Sequence, residues 1–389
     1  MRSASDTTTA TSTGRGGMLL KGAGLLVLAA LVLAFPAMAP DPFILSVGVV
    51  IMSYAVLATS WNFVGGFTGY ISLGHASYSG LGAYATALLV IHTGINPWVA
   101  MLLGGLVVAA LAVPIGIASL RVRGASFVIV SIAMVLILLL VFQSWGEVTG
   151  GSNGLRVPRP FGPDVLRPEQ HERFFYLHAA LLAVALLAWW AIDRSRFGTG
   201  LKAIREDEDK AQSLGVPTFS YKLTAFVVSA FFTALGGGLY ALWFGFLDPI
   251  FQFSILVGSY MVLMSLLGGI RSLFGPFLGA VIVGYAVEFF KNQYGDTQFH
   301  LVAMGLLLGI VVLFMPDGII PAVSSLLRRF RPEAASIREV SQADLAEQRR
   351  RTSSPSTSGT ARVASPADGE STGDADDGSP DRLSEGVQR

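Results

Sequence analysis

The chain reads as an all-α polytopic membrane protein of about ten transmembrane helices, with broken or re-entrant glycine-rich segments and one charged helix held outside the bilayer. Charged residues make up 14% of it against about a quarter of an ordinary soluble domain, and the mean hydropathy is +0.59, too apolar for a surface that water must cover. Residues 43–120 contain no Asp, Glu, Lys or Arg, only His75 and His92. Against that silence, Asp193–Lys222 is a dense island of both charge signs between apolar runs. The absence of cysteine excludes a disulfide framework and cysteine-based metal or thiol chemistry. The net charge of +1 averages a neutral body with charged tails and says nothing of partners.

Residues 1–17 form a Ser/Thr-rich tail, expected to be disordered. The transmembrane domain is expected over 18–327, with a polar loop at 193–222. Stretches near the roughly 20 residues that a hydrocarbon core demands lie at 20–39, 43–64, 70–91, 97–120, 125–142, 174–192, 221–243, 251–270, 273–290 and 299–315. The first, ending in Ala37-Met38-Ala39, has the pattern of a tail plus first anchor, and a cleaved signal is the alternative. Residues 328–389 form a charged tail without aromatic residues after Phe330, which cannot bury a core. Ser336–Glu339 reads as a capping box within it.

Arg121, Arg123, the Lys and Arg of 193–222, Arg271 and Arg328-Arg329-Arg331 fall in alternate connections. Both termini and these loops are therefore expected to be cytoplasmic, in a multi-pass protein of the cell membrane. Arg156, Arg159, Arg167 and Arg173 run against this, but acids accompany them.

Within the charged island, Leu201, Ile204, Ala211 and Leu214 set a narrow apolar stripe along a helix of about four turns. Gly215 suits the end of that helix and Pro217 forbids its continuation. Lys202 to Glu206 and Glu206 to Lys210 are i,i+4 pairs. A helix lying on lipid headgroups is the alternative, but Glu206-Asp207-Glu208-Asp209 would be repelled by anionic lipid.

Gly65, Gly66, Gly69 and Gly74 lie between apolar runs, where broken helices are tolerated if they line a cavity or are buried in protein. Asn62, Ser72 and freed backbone amides would then meet a zwitterionic solute. Close packing through small residues is the competing reading. His75 reads most simply as a neutral imidazole bonded to a backbone carbonyl. The blocks at Gly65-Gly66 and Gly268-Gly269 hint at an internal repeat. Gly150–Gly154 satisfies G-x-S-x-G, but Pro158 and Pro160 forbid the helix a nucleophile elbow requires.

Four blocks carry a resemblance. Phe197–Val216 is similar to the cytoplasmic coupling segment of the permease subunits of branched-chain amino-acid ABC importers. Trp61–Ala76 (WNFVGGFTGYISLGHA) resembles their early glycine-rich signature, Thr149–Leu155 their external loop and Leu267–Pro276 their late Gly-Gly turn. In that family an external binding protein delivers the solute, two permease subunits form the path, and two ATPase subunits dock on the coupling helices. The resemblance implies that Leu201, Ile204, Ala211 and Leu214 face an ATPase groove, with Arg205 and Glu206 at its rim and Glu208 and Gly215 in the same segment. Gly151, Ser152 and Asn153 of the external-loop block, with Asn62, Gly65, Gly66, Gly69, Ser72, Gly74 and His75, are the candidates for the solute path. One departure is Asp209-Lys210-Ala211, where many importers have Glu-Ala-Ala.

No G-x-x-x-x-G-K-[ST] occurs. ATP and Mg are thus expected on partner subunits, with no cofactor, metal, catalysis or nucleic acid on this chain. The implied solutes are leucine, isoleucine and valine; urea, short amides and aromatic acids are alternatives. A self-sufficient channel or carrier is the competing class, although the spans through residue 142 lack the carboxylates that ion coupling uses.

Overall fold

A computed structural model describes residues 30–39, 41–162, 165–295, 302, 305–306, 309–310 and 318–320, and every statement below concerns these. The tails at 1–17 and 328–389, the first half of the apolar stretch at 20–39 and most of that at 299–315 lie outside them.

The helix α1, Pro42–Thr68, starts where the Asp41 carboxylate accepts the Phe43 amide at 2.8 Å, with Pro42 preset for its first turn. It runs unbroken through Gly65-Gly66 and ends at Gly69, whose φ of 75° suits a residue without Cβ. Then follow α2, His75–Thr93, and α3, Pro97–Ser119, the latter capped by Asn96. Next come α4, Ala125–Ser144, and α5, Arg167–Arg194. The charged island forms α6, Arg196–Glu206, and α7, Glu208–Ser213. The last three are α8, Thr218–Phe244, α9, Ile255–Gly268, and α10, Gly275–Tyr294.

Among the described residues, six stretches are long and apolar enough to cross a membrane: α1, α3, α4, α5, α8, and Pro249–Gly268, which contains α9. The chain is a helical, multi-pass membrane protein; α2 and α10 stand where two more spans are expected.

Helix α8 occupies the centre, packed on α1, α2 and α3, with 78% of its most apolar stretch buried. Glycines set how close it comes. A Cβ at Gly82 would strike the Ala234 backbone, and one at Gly237 the Ser79 carbonyl. At the other extreme stands α4, with 17% buried. Two-residue strands β1, Leu155–Arg156, and β2, Phe246–Leu247, pair antiparallel and join the α4–α5 connection to the end of α8.

The glycine pair Gly65-Gly66 does not break its helix. Gly65 lies under the Trp61 ring of its own helix and Gly66 against the Ile270 carbonyl, so these glycines serve packing. The break falls at 69–74. The His75 ring meets Ser229, whose hydroxyl reaches the Ser60 carbonyl, so α2 begins level with Ser60. Ser60 lies roughly 12 Å back from Thr68 along α1 at 1.5 Å per residue, so the connection returns into the bundle by about two turns. Its deep part is tolerable at membrane depth because Ser72 and Gly74 are buried in protein, while Gly69 and Ile71 near the charged end are exposed. Connection 269–274 has the same length, and Gly258 of α9 rests on the Leu73 carbonyl as Gly66 of α1 rests on Ile270.

Candidate functional site

The charged segment is two helices, where a single rod of four turns is the expectation. Asp207 is extended, at φ −163° and ψ 109°, and its carboxylate accepts the Lys210 amide at 3.0 Å and pairs with Lys210 Nζ at 2.9 Å. The first of these bonds, then the second, holds the Asp207 carboxyl below its usual range, and the pairing raises the Lys210 ammonium. The expected i,i+4 pairs do not form: Lys202 pairs with Asp193 at 2.6 Å and Glu206 with Arg205 at 3.3 Å. The break at Asp207 turns Lys210 away from Glu206.

The stripe is real but faces inward. Leu201, Ile204 and Ala211 are buried against Phe63 and Phe67 of α1, Trp189 of α5, and Ala225 and Phe232 of α8. They cannot meet an outside groove, because the bundle's own aromatic residues already cover them. Leu214 is the exception at 84% exposed, beside Gly215 at φ 86° and the exposed Phe219.

Arg205 also points inward. Its Nη1 donates to the Gly66 carbonyl at 2.7 Å, placing a cation at the C-terminal, partially negative end of α1. Glu206 remains exposed. Glu208 gathers three partners: Lys222 Nζ at 2.5 Å, the Tyr70 hydroxyl at 2.8 Å and Arg123 at 3.3 Å. Lys222 Nζ also reaches the Tyr70 hydroxyl at 3.0 Å and lies 4.8 Å over its ring. Arg123 reaches Asp209 at 2.9 Å, and that bond, with Glu208 next, raises the guanidinium further. Sequence reasoning missed Tyr70, Arg123 and Lys222 as partners. A signal for one was present: Lys222 opens an apolar run, and a cation entering a span requires a counter-ion.

Of the expected path residues, Asn62 is 1% exposed and both its amide atoms lack a hydrogen-bond partner. It lies against Gly66 and Ile270. Ser72 is buried, and its carbonyl accepts Trp61 Nε1 at 2.7 Å. Gly74 sits against the Ser131 backbone. His75 is buried with Ser229 as its partner rather than a carbonyl, at 2.7 Å. The single Ser229 proton goes to the Ser60 carbonyl at 2.6 Å, so the ring donates from Nε2 and its Nδ1 lone pair has no partner. The two orphans face different neighbours and do not form one site.

Gly151, Ser152 and Asn153 form a 3-10 turn just past the end of α4, with Ser152 and Asn153 exposed. The 20 residues of α4 separate them from Arg123 by about 30 Å. They therefore lie at the opposite end of the bundle from Gly69 and Tyr70. Among the described residues no cluster of His, Asp and Glu could hold a metal ion.

Residues 43–315 match the family described as the branched-chain amino acid transport system permease component. The chain belongs to this family. It is 28% identical over 320 residues to the high-affinity branched-chain amino acid transport system permease protein LivM of Salmonella typhimurium, covering 76% of this chain and 74% of LivM. LivH of Escherichia coli K12, a permease protein of the same description, is 28% identical over 286 residues, covering 69% and 91%. The nucleoside ABC transporter permease protein NupC of Lactococcus lactis is 22% identical over 285 residues, covering 64% and 87%. As a member of this permease family, the chain is a transport protein of the membrane.

Proposed function

We propose that the chain is the transmembrane permease subunit of an ATP-binding-cassette importer, forming the path for leucine, isoleucine and valine. An external binding protein delivers the solute, a sister permease completes the path, and two ATPase subunits bind ATP and Mg and drive the cycle. The observation that carries this reading is the segment from Ser195 to Pro217. It is fixed to the bundle by a buried stripe and ion pairs, yet it presents Leu214 outward, next to the exposed Phe219 at the start of α8 and beside exposed Glu206, Asp209 and Lys210. An outward apolar tip ringed by acids and a lysine is suited to a docking protein subunit, since anionic lipid would repel the acids. The ATPase-facing residues are thus Leu214, Gly215 and Glu206, while Leu201, Ile204, Arg205, Glu208 and Ala211 fasten the segment to the permease. Docking to an ATP-consuming subunit places this end in the cytoplasm.

The purified chain alone is expected to hydrolyse no ATP, whereas the complete complex hydrolyses it and takes up labelled leucine in proteoliposomes. Leu214→Glu should abolish copurification of the ATPase without altering the fold of the chain. Competition by valine, urea, benzoate and a nucleoside identifies the solute, since NupC shows a nucleoside permease among the relatives. Accumulation of solute by this subunit alone would overturn the reading.

A further inference from the structure

We propose that Glu208 is the joint through which the charged segment moves α4 and the connection 69–74, with Lys222, Tyr70 and Arg123 as its positioning partners. The proposal rests on the importer reading and adds the route by which a docked motor reaches the interior.

The two ends of the joint differ in kind. Lys222 and Glu208 have side chains only 4% and 11% exposed, so separating them would leave charges buried without partners. They move as one body. Arg123 is 51% exposed, and its bonds to Glu208 and Asp209 break and reform against water at little cost. The joint is thus firm toward α8 and breakable toward the turn before α4.

Helix α4 suits the driven part. It fully buries only Phe127, Ser131 and Val135, a line at four-residue spacing, while Phe142 packs on Tyr84 and Phe253 at its far end, so the charged end is the freer of the two. At the charged end the attachment is Arg123, followed by Gly124 at φ 60°, a backbone state open to glycine. About two turns further on, Ser131 Oγ accepts the Leu73 amide at 3.1 Å. A pull on Arg123 therefore reaches the connection twice, through α4 and Ser131 and through the Tyr70 hydroxyl on Glu208.

The space between α4 and the connection is not closed. A cavity of about 20 Å³ remains there, lined by Ser72, Gly74, Ser119, Phe127 and Ser131 among others, enough for one water. The Ser119 hydroxyl is buried without a partner. A tightly packed seam would resist sliding, and this one has slack.

The test uses the complete importer, purified with its ATPase subunits and reconstituted. In the cysteine-free chain, Ile129→Cys on α4 and Leu187→Cys on α5, both exposed, carry spin labels. Wild type should show a label distance that changes between the nucleotide-free and vanadate-trapped states, and ATP-driven leucine uptake. Arg123→Gln should assemble normally and keep its ATP hydrolysis, lose the distance change, and deliver about tenfold less leucine per ATP, inside the usual range of coupling between sites. Arg123→Lys should restore part of both. Tyr70→Phe, which keeps the ring and removes the second arm, should lower the same ratio. A staple that only stabilises would lower the yield or melting temperature of Arg123→Gln and Tyr70→Phe and leave leucine per ATP unchanged, and that result overturns the joint. If wild type itself neither takes up leucine on ATP nor shifts the labels, the importer reading fails and the joint falls with it.

Discussion

Lys222 is 3% exposed at the start of the central helix, where an unpaired ammonium would be untenable. Its partner Glu208 comes from α7, and neither is replaceable alone. Lys222→Met should destabilise the protein by about 3 kcal/mol or more, because it leaves Glu208 nearly buried and without its closest cation. The double change Lys222→Met with Glu208→Gln should recover much of that loss, since an apolar replacement of a buried ion pair costs little. Melting temperatures in detergent, compared across the single and double variants, decide it; additive losses would contradict the pairing. This contact was only half legible. The sequence shows a cation opening an apolar run, but Glu206, Asp207, Glu208 and Asp209 are four consecutive acids, and nothing in their order says which of them turns inward. The choice is made by the break at Asp207, which redirects the chain so that Glu208 meets α8.

That break governs the charged segment as an element. The spacing of Leu201, Ile204 and Ala211 correctly marks a buried face, but periodicity reports that a face is covered and not by what. Here the cover is Phe63, Phe67 and Trp189 of the same chain, stacked in pairs with Phe232 and with each other. The outward surface is therefore the tip, for which the sequence offered Leu214, Gly215 and the rim residue Glu206 but not Phe219. Asp207 holds α7 by accepting the Lys210 amide, and its carboxyl lies below the usual range because of that bond. A carboxyl lowered on folding contributes stability above its unfolded pKa of about 4 and loses it as the pH falls through the folded value. Protection of the Lys210 amide against hydrogen exchange, corrected for the intrinsic rate, should thus fade below about pH 4. Asp207→Asn should keep the cap and lose the pH dependence, as an amide caps nearly as well without titrating. Undiminished protection in acid would show that the carboxylate does not hold the helix.

For the whole molecule, the apolar runs placed the helices well: α1, α3, α4, α5 and α8 each overlie a stretch read from hydropathy alone. The two glycine-rich blocks were less legible, because glycine permits both a break and a close approach, and only the neighbours decide. Gly66 meets a carbonyl and stays helical, while Gly69 ends its helix. The helix order also bears on sidedness. Since α4 and α5 each lead from one end of the bundle to the other, Arg121, Arg123 and the charged segment share one end with Arg271 and the connection 69–74, whereas Thr93 and Ser152 share the other. Arg121, Arg123, the cations of the charged segment and Arg271 are in this way collected at a single end, the one the proposed importer reading puts in the cytoplasm. The lack of cysteine makes the arrangement directly measurable. Thr93→Cys and Ser152→Cys, both exposed, should react with an impermeant maleimide added to intact cells, and Ser213→Cys only after permeabilisation. Labelling of Ser213→Cys from outside would invert the molecule and remove the charged segment from any reach of an ATP-driven partner, while equal labelling at all three positions would mean that α5 does not cross the membrane.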